Sequence, residues 1–245
     1  MLDSIRSFRA CLDGSGALVI KIGSSLLIDE TGEARTDWMQ ALCGMLAARP
    51  GPVVLVSSGA IALGRPALDL PGRPSSLAEA QACAAIGQIR LAALWSKAWA
   101  EYGKVSAQIL LTLGDLEQRG RYLNARNTLE TLVERGVVPI VNENDTVATG
   151  EIRFGDNDRL SARVAQLIGA ELLVLLSDVD GLYDANPKTH PGAALIPVVE
   201  RIDSRIEALA EGPGATGFGT GGMVSKLAAA RVATAAGCPV LLTSG

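Results

Sequence analysis

The sequence predicts an α/β fold, a mainly parallel central sheet with helices on both faces, and three observations carry that prediction. Hydrophobic residues make up 48% of the 245 residues but aromatics only 4%, so the core must be built from Ala, Val, Ile and Leu, as in parallel sheets covered by helices. Short wholly apolar runs recur along the chain with the length of buried strands. Strand-like runs also pass through turns of small residues straight into helical segments, the alternation that builds parallel sheets. At this length one domain spanning 1–245 is expected.

After a polar start, residues 17–22 read as a central strand that delivers Lys21 to a turn of Gly23, Ser24 and Ser25. A lysine there is costly unless its ammonium meets an anion; on an edge strand it would snorkel to water instead. Residues 52–57 form a second strand running into Ser58, Gly59 and Ala60, and the IALG that follows starts a helix. Such turns leave backbone N–H groups at a helix N-terminus, where a phosphate or carboxylate is favoured, although they are common in any α/β protein. Residues 66–74, rich in Pro, Gly and charge, read as a loop. Ser76 and Glu79 have the spacing of a capping box and open an Ala-rich helix reaching about residue 102, in which Gly87 fits close packing against a neighbour. Residues 105–112 form a third strand, and 119–135 an amphipathic helix carrying Leu123, Leu129, Leu132 and Val133.

The next stretch, 137–158, is the most polar the chain offers after a buried strand. Val137, Val138, Ile140 and Val141 give way to Asn142, Glu143, Asn144 and Asp145; after a hairpin arm at 151–154, set between Gly150 and Gly155, come Asp156, Asn157 and Asp158. So many carboxylates and amides beside a core strand require solvent, a ligand or a metal, unless they only close Asx turns. The last three lead into a helix ending near 170, where one of them caps the helix and the others need another role. Residues 172–176 form a further strand that ends in Ser177, Asp178, Val179, Asp180 and Gly181. Ligands of open parallel sheets sit at the carboxyl ends of the strands, so Lys21, Ser58, Asp145 and Asp178 are expected to converge.

A loop through Asn186, Pro187 and Pro191 precedes a helix at 204–210, and then the chain becomes glycine-dense, GPGATGFGTGGMVSK. Gly212, Gly214 and Gly217 match G-x-G-x-x-G but follow a helix rather than a strand, so no dinucleotide fingerprint is read there. Walker A fails as well, because Ser225 precedes Lys226. What remains is a loop feeding a helix over 222–236, with Lys226 in its first turns. A cation at that end is electrostatically unfavourable and calls for an anion, or else for solvent.

A net charge of -4 and a pI near 5.2 argue against the basic face that nucleic acid requires, while small anionic ligands stay open because local charge can oppose the global sign. Cys11, Cys43, Cys83 and Cys238 are scattered without a C-x-x-C pair, which suggests neither zinc nor a disulfide framework. The single histidine, His190, lies among prolines in a loop, so a His-based triad is hard to build. There is no signal sequence and no apolar run of roughly 18 residues, and a cytoplasmic protein away from membranes is expected. The sequon at Asn144 is accidental in that setting.

Five segments in order, VIKIGSS at 19–25, VSSGAIALGR at 56–65, VNENDTVATGEIRFGDND at 141–158, LLSDVDGLY at 175–183 and GTGGMVSK at 219–226, resemble the glutamate 5-kinases of the amino acid kinase family over essentially the whole chain. The resemblance implies a three-layer αβα sandwich and transfer of the ATP γ-phosphoryl group, with Mg, to the side-chain carboxylate of L-glutamate, the first step toward proline. Carried over position by position, it implies that Ser58, Asp145 and Asn157 hold glutamate, Asp145 through the ammonium group. Lys21, Gly23, Ser177 and Asp178 would bind ATP together with Thr220, Gly221, Gly222, Met223, Val224, Ser225 and Lys226. Lys21 and Lys226 would act on phosphoryl oxygens and Asp158 would hold them; no protein ligand to the metal is assigned. The family also implies a homo-oligomer and feedback inhibition by proline. An aspartate, acetylglutamate or nucleotide kinase of the same family should lack the linked NEND and GDND signatures, and a catalytically silent amino-acid sensor would tolerate loss of Lys21 or Lys226; this chain carries all of these. Many relatives continue beyond the equivalent of Gly245 to finish the sheet and often add an RNA-binding-type PUA module, so a kinase domain shortened at its C-terminal end and without that module is expected.

Overall fold

The computed structural model describes residues 2–70, 72–148, 157–187, 189–210 and 222–245, with side chains from residue 8 onward. Within them the strands are β1 (Leu18–Ile22), β2 (Val53–Ser57), β3 (Ser106–Leu111), β4 (Val138–Glu143), β5 (Leu172–Ser177) and β6 (Val240–Ser244). The helices are α1 (Leu2–Asp13), α2 (Ser24–Leu27), α3 (Thr36–Ala47), α4 (Ala60–Gly64), α5 (Leu77–Ala100), α6 (Leu113–Glu117), α7 (Arg119–Glu134), α8 (Asn157–Ile168), α9 (Ser204–Ala210) and α10 (Met223–Ala235). The strands form one sheet in the order β3-β4-β2-β1-β5-β6, and every pairing in it is parallel.

Strand pleating divides the core. Leu18, Ile20 and Ile22 of β1 pack with Met39, Leu42, Leu63, Leu91, Trp95 and Trp99 from α3, α4 and α5. Val19, one residue out of phase, joins Leu129, Leu160, Val164, Leu167, Ala229 and Ala233 from α7, α8 and α10 on the other face. The result is the expected three layers. Lys21 has the parity of Val19, so it rises on the face of α8 and α10, and the strand's own alternation selects its partners.

β1 lies between β2 and β5, with Lys21 level with Val56 on one side and Leu175 on the other. β2, β4 and β3 lie on one side of β1 and β5 and β6 on the other, which makes its carboxyl end the switch point where α/β sheets open a crevice.

On the opposite face, a Cβ on Gly87 would overlap the carbonyl oxygen of Ala60 and stand 2.6 Å from the amide nitrogen of Gly64. Gly87 and Gly64 therefore let α4 and α5 touch backbone to backbone, the close packing read from the sequence. Arg49 fastens α1 to the body: its guanidinium donates to the carbonyls of Cys11, Leu12, Gly16 and Pro52 at 2.7–3.2 Å.

The structure corrects several expectations. The polar start is helix α1, and α3 and α6 are further helices that the sequence reading passed over. The 66–74 loop opens with a 3-10 turn, Arg65–Leu68. Ser76 does accept from the Glu79 amide at 3.2 Å, but the Glu79 carboxylate reaches back to the Ser75 amide and hydroxyl at 2.7 and 2.8 Å, so the box closes one residue early. A complete capping box joins Thr112 and Asp115 at the start of α6 instead. Strand β4 runs on through Asn142 and Glu143, both buried. The 151–154 arm, Asp156 and the glycine-dense 211–221 segment, with Thr220 and Gly221, lie outside the described residues.

Candidate active site

The polar residues singled out in the sequence gather at the carboxyl edge of the sheet, in two groups that meet at the first turn of α8. Asn157 and Asp158 do not cap that helix; they are its first two residues, both buried. Their side chains serve different neighbours.

Asp158 is fully buried, at 0% exposure, and Lys21 at 4% and Lys226 at 5% scarcely less so. Lys21 Nζ stands 2.6 Å from Asp158 Oδ1 and Lys226 Nζ 3.4 Å from Oδ2. One carboxylate thus gathers two ammonium groups from β1 and α10. Buried charges are expensive unless compensated, and Asp158 is the compensation that both lysines share. The Lys226 pKa is lowered, chiefly by burial and also by Lys21, against the opposing pull of Asp158 and Asp178. The anion demanded by a lysine near a helix N-terminus is Asp158.

Asn157 faces the strand ends. Its Nδ2 donates to Ser58 Oγ at 2.8 Å and to Asn142 Oδ1 at 2.9 Å, and its Oδ1 accepts from the Glu143 amide at 3.3 Å. Ser58 is held from below, its own amide donating to the Ile22 carbonyl at 3.1 Å, and the next residue, Gly59, turns the chain into α4 at φ 111°, a left-handed conformation that favours glycine. Beyond β4, a turn is closed by the Asn144 carbonyl, which accepts from the amides of Val147 and Ala148 at 3.1 Å, while the Asn144 side chain accepts from the Thr146 hydroxyl at 2.6 Å. Asp145 in the same turn is 8% exposed. Burial alone pushes its carboxyl up to about 6, with no hydrogen bond or charge among the described residues to oppose it.

At the end of β5, Ser177 is buried and its hydroxyl donates to the exposed Asp178 carboxylate at 3.1 Å. Gly23 precedes α2 close by: a Cβ there would lie 3.8 Å from the Leu176 carbonyl oxygen and 4.0 Å from Lys21 Nζ, so this turn borders the lysine. Gly222 caps α10, and Met223, Val224 and Ser225 form the turn leading to Lys226. Sequence reading missed Gln88. A lone buried amide on an Ala-rich helix face is the signal that marks it, and it binds Asn142 at 2.7 Å.

The sequence from 16 to 244 matches the model of the amino acid kinase family. The chain belongs to that family. Amino acid kinases similar to this one include the glutamate 5-kinase of Caulobacter vibrioides, 54% identical over 242 residues, which are 97% of this chain and 64% of that protein. The glutamate 5-kinase of Sphingopyxis alaskensis is 56% identical over 232 residues, 93% of this chain and 63% of that one. The chain therefore spans just under two thirds of the length of these relatives. Among solved structures, an isopentenyl phosphate kinase matches with a TM-score of 0.62 at 16% identity, covering 93% of this chain and 91% of that one. Carbamate kinase from Giardia lamblia bound to AMP-PNP matches with a TM-score of 0.62 at 18% identity, covering 95% and 93%. At such identities the likeness establishes the amino acid kinase fold. No helix among the described residues is long and apolar enough to cross a membrane.

Proposed function

We propose that this domain transfers the γ-phosphoryl group of ATP to the side-chain carboxylate of L-glutamate, giving L-glutamyl 5-phosphate, the first step toward proline. The observation that carries the reading is the Asn157–Asp158 pair, which places the amide bonded to Ser58 beside a carboxylate that holds two buried lysines. Relatives 54 to 56% identical that are named glutamate 5-kinase support the choice of acceptor.

The glutamate side chain, with a pKa of about 4.3, is already ionised at neutral pH, so the reaction needs no general base. Its difficulty is the approach of one anion to another. Two unit charges 4 Å apart repel by about 4 kcal/mol at an effective dielectric of about 20. Lys21 and Lys226 offset that repulsion, and phosphoryl transfer consists largely of such positioning and charge stabilisation. A carboxylate oxygen bonds to the γ-phosphorus as the bond to the β-γ bridging oxygen breaks; ADP leaves and no proton moves.

In this reading Ser58, Asp145 and Asn157 hold glutamate, with Asp145 on the ammonium group. Gly23, Ser177, Asp178 and the 220–226 segment hold ATP, and Asp158 keeps the lysines in place. Asp158, engaged by two ammonium groups, is unsuited to binding Mg, and among the described residues no group of three or more His, Cys, Asp or Glu side chains could hold a metal ion. The ion fits the site as a passenger on ATP, bound by phosphate oxygens and water as it prefers. We carry a cytoplasmic homo-oligomer inhibited by proline as part of the same proposal.

The test is an ADP-release assay with glutamate, aspartate and acetylglutamate offered in turn. Release dependent on glutamate is expected, and its absence overturns the reading.

A further inference from the structure

We propose that Gln88 is a positioning residue for the amino-acid end of the site, acting through Asn142 to fix which way the Asn157 amide faces and so to leave the Ser58 hydroxyl free to donate to the substrate. The proposal rests on the glutamate reading above and adds a residue that it does not use.

The polarity of this amide chain follows from one group that cannot turn around. The Glu143 backbone N–H only donates, and it points at Asn142 Oδ1 at 2.9 Å and at Asn157 Oδ1 at 3.3 Å. Both side-chain amides are thereby oriented, a choice otherwise left open by the likeness of amide oxygen and nitrogen. Asn157 Nδ2 must then donate, which it does to Asn142 Oδ1 and to Ser58 Oγ. A hydroxyl that accepts there keeps its own hydrogen for another acceptor, and a carboxylate is one.

The far end of the chain needs a matching acceptor. Asn142 is 2% exposed, and its Nδ2 donates to Gln88 Oε1 at 2.7 Å. Without that oxygen Asn142 would hold a buried bare donor, which favours rotation of its amide and would set donor against donor at Glu143 and Asn157. Gln88 is 9% exposed, and its buried Nε2 has no hydrogen-bond partner among the described residues. The neighbouring Ala84 and Leu91 pack in the apolar core on the same helix, so an apolar side chain would suit position 88 if packing were all it supplied. Two turns earlier, Gln81 Nε2 donates to the Ala148 carbonyl at 3.1 Å. The two glutamines of α5 therefore bracket the 142–148 segment that carries Asp145.

The experiment is steady-state kinetics of Gln88→Met, Gln88→Glu, Asn142→Ala, Asn157→Ala and the Gln88→Met/Asn142→Ala double variant, with thermal melts as a check on folding. Methionine is close to glutamine in shape but lacks its amide oxygen; glutamate retains an oxygen facing Asn142. Gln88→Met should raise the glutamate KM about tenfold, the scale of one unpaired buried donor, while the ATP KM and kcat stay within about threefold. Gln88→Glu should recover most of that loss, and the double variant should be no worse than Asn142→Ala, because the residue acts only through Asn142. A glutamate KM for Gln88→Met within about twofold of the parent, while Asn157→Ala raises it, overturns the role of Gln88 and leaves the glutamate reading standing. Equal rises in both KM values, additive effects in the double variant, or no recovery by Gln88→Glu also overturn it. If Gln88→Met does not fold, the recovery by Gln88→Glu relative to Asn142→Ala decides. Absence of glutamate-dependent turnover in the parent protein fails the glutamate reading itself.

Discussion

Asp145 is the residue whose chemistry is least settled by the protein alone, because its carboxylate is buried with nothing described to answer it. Lifting its pKa from an ordinary 3.8 to about 6 corresponds to about 3 kcal/mol of preference for the neutral form. The folded-state value lies above the unfolded one, so this contribution to stability is fully present below pH 3.8 and is lost as pH rises through about 6. Asp145→Asn should therefore stabilise the ligand-free protein at pH 8 and leave it nearly unchanged at pH 4, as read from denaturant unfolding at the two pH values. An ammonium group repairs the deficit only when Asp145 is ionised, so the glutamate KM of the parent should rise about tenfold per pH unit below about 6, while that of Asp145→Asn is high and flat. A parent KM constant from pH 5 to 8 contradicts the assignment. The type of residue was legible in the sequence; its burial was not, since that depends on how β4 and its turn pack.

At the level of elements, the site depends on two short pieces being held in register, the turn before α4 and the first turn of α8. The α4–α5 contact passes through Gly64 and Gly87, where added Cβ atoms meet backbone rather than yielding side chains. Gly87→Ala should cost about 3 kcal/mol, the upper end for overpacking, and should raise the glutamate KM as well, because α4 starts at the Ser58 turn. Unfolding in urea measures the first, and a parental midpoint with parental kinetics would refute the contact. Strands β1 to β5 and helices α5, α7, α8 and α10 were legible because burial on one or both faces writes a period into them. Helices α1 and α3, twelve residues each, and the last strand β6 were passed over, and α6 has five residues, too few for a period, so that only the Thr112–Asp115 pair announces it. Asn157 and Asp158 looked like caps because Asn and Asp at a helix start usually are; tertiary partners in the turn after β2 and on β4, β1 and α10 claim them instead.

Over the whole molecule, the strand order places β1 at the switch point, and Lys21, Ser58, Asn157, Asp158 and Lys226 meet at its carboxyl end. That convergence was legible from polar residues following apolar runs, and the layers from aliphatic composition. The pairing of Lys21 with Lys226 across Asp158 was implied only by resemblance, since residues 205 apart in the chain meet through the pleat of one strand and the docking of two helices. The central claim is that this crevice brings a glutamate carboxylate to the γ-phosphoryl group. An acyl phosphate is the product that claim requires, and hydroxylamine traps acyl phosphates as hydroxamates. With ATP, Mg, glutamate and hydroxylamine, mass spectrometry should find γ-glutamyl hydroxamate in step with ADP, and no corresponding product with aspartate; ADP release without the hydroxamate would contradict the account.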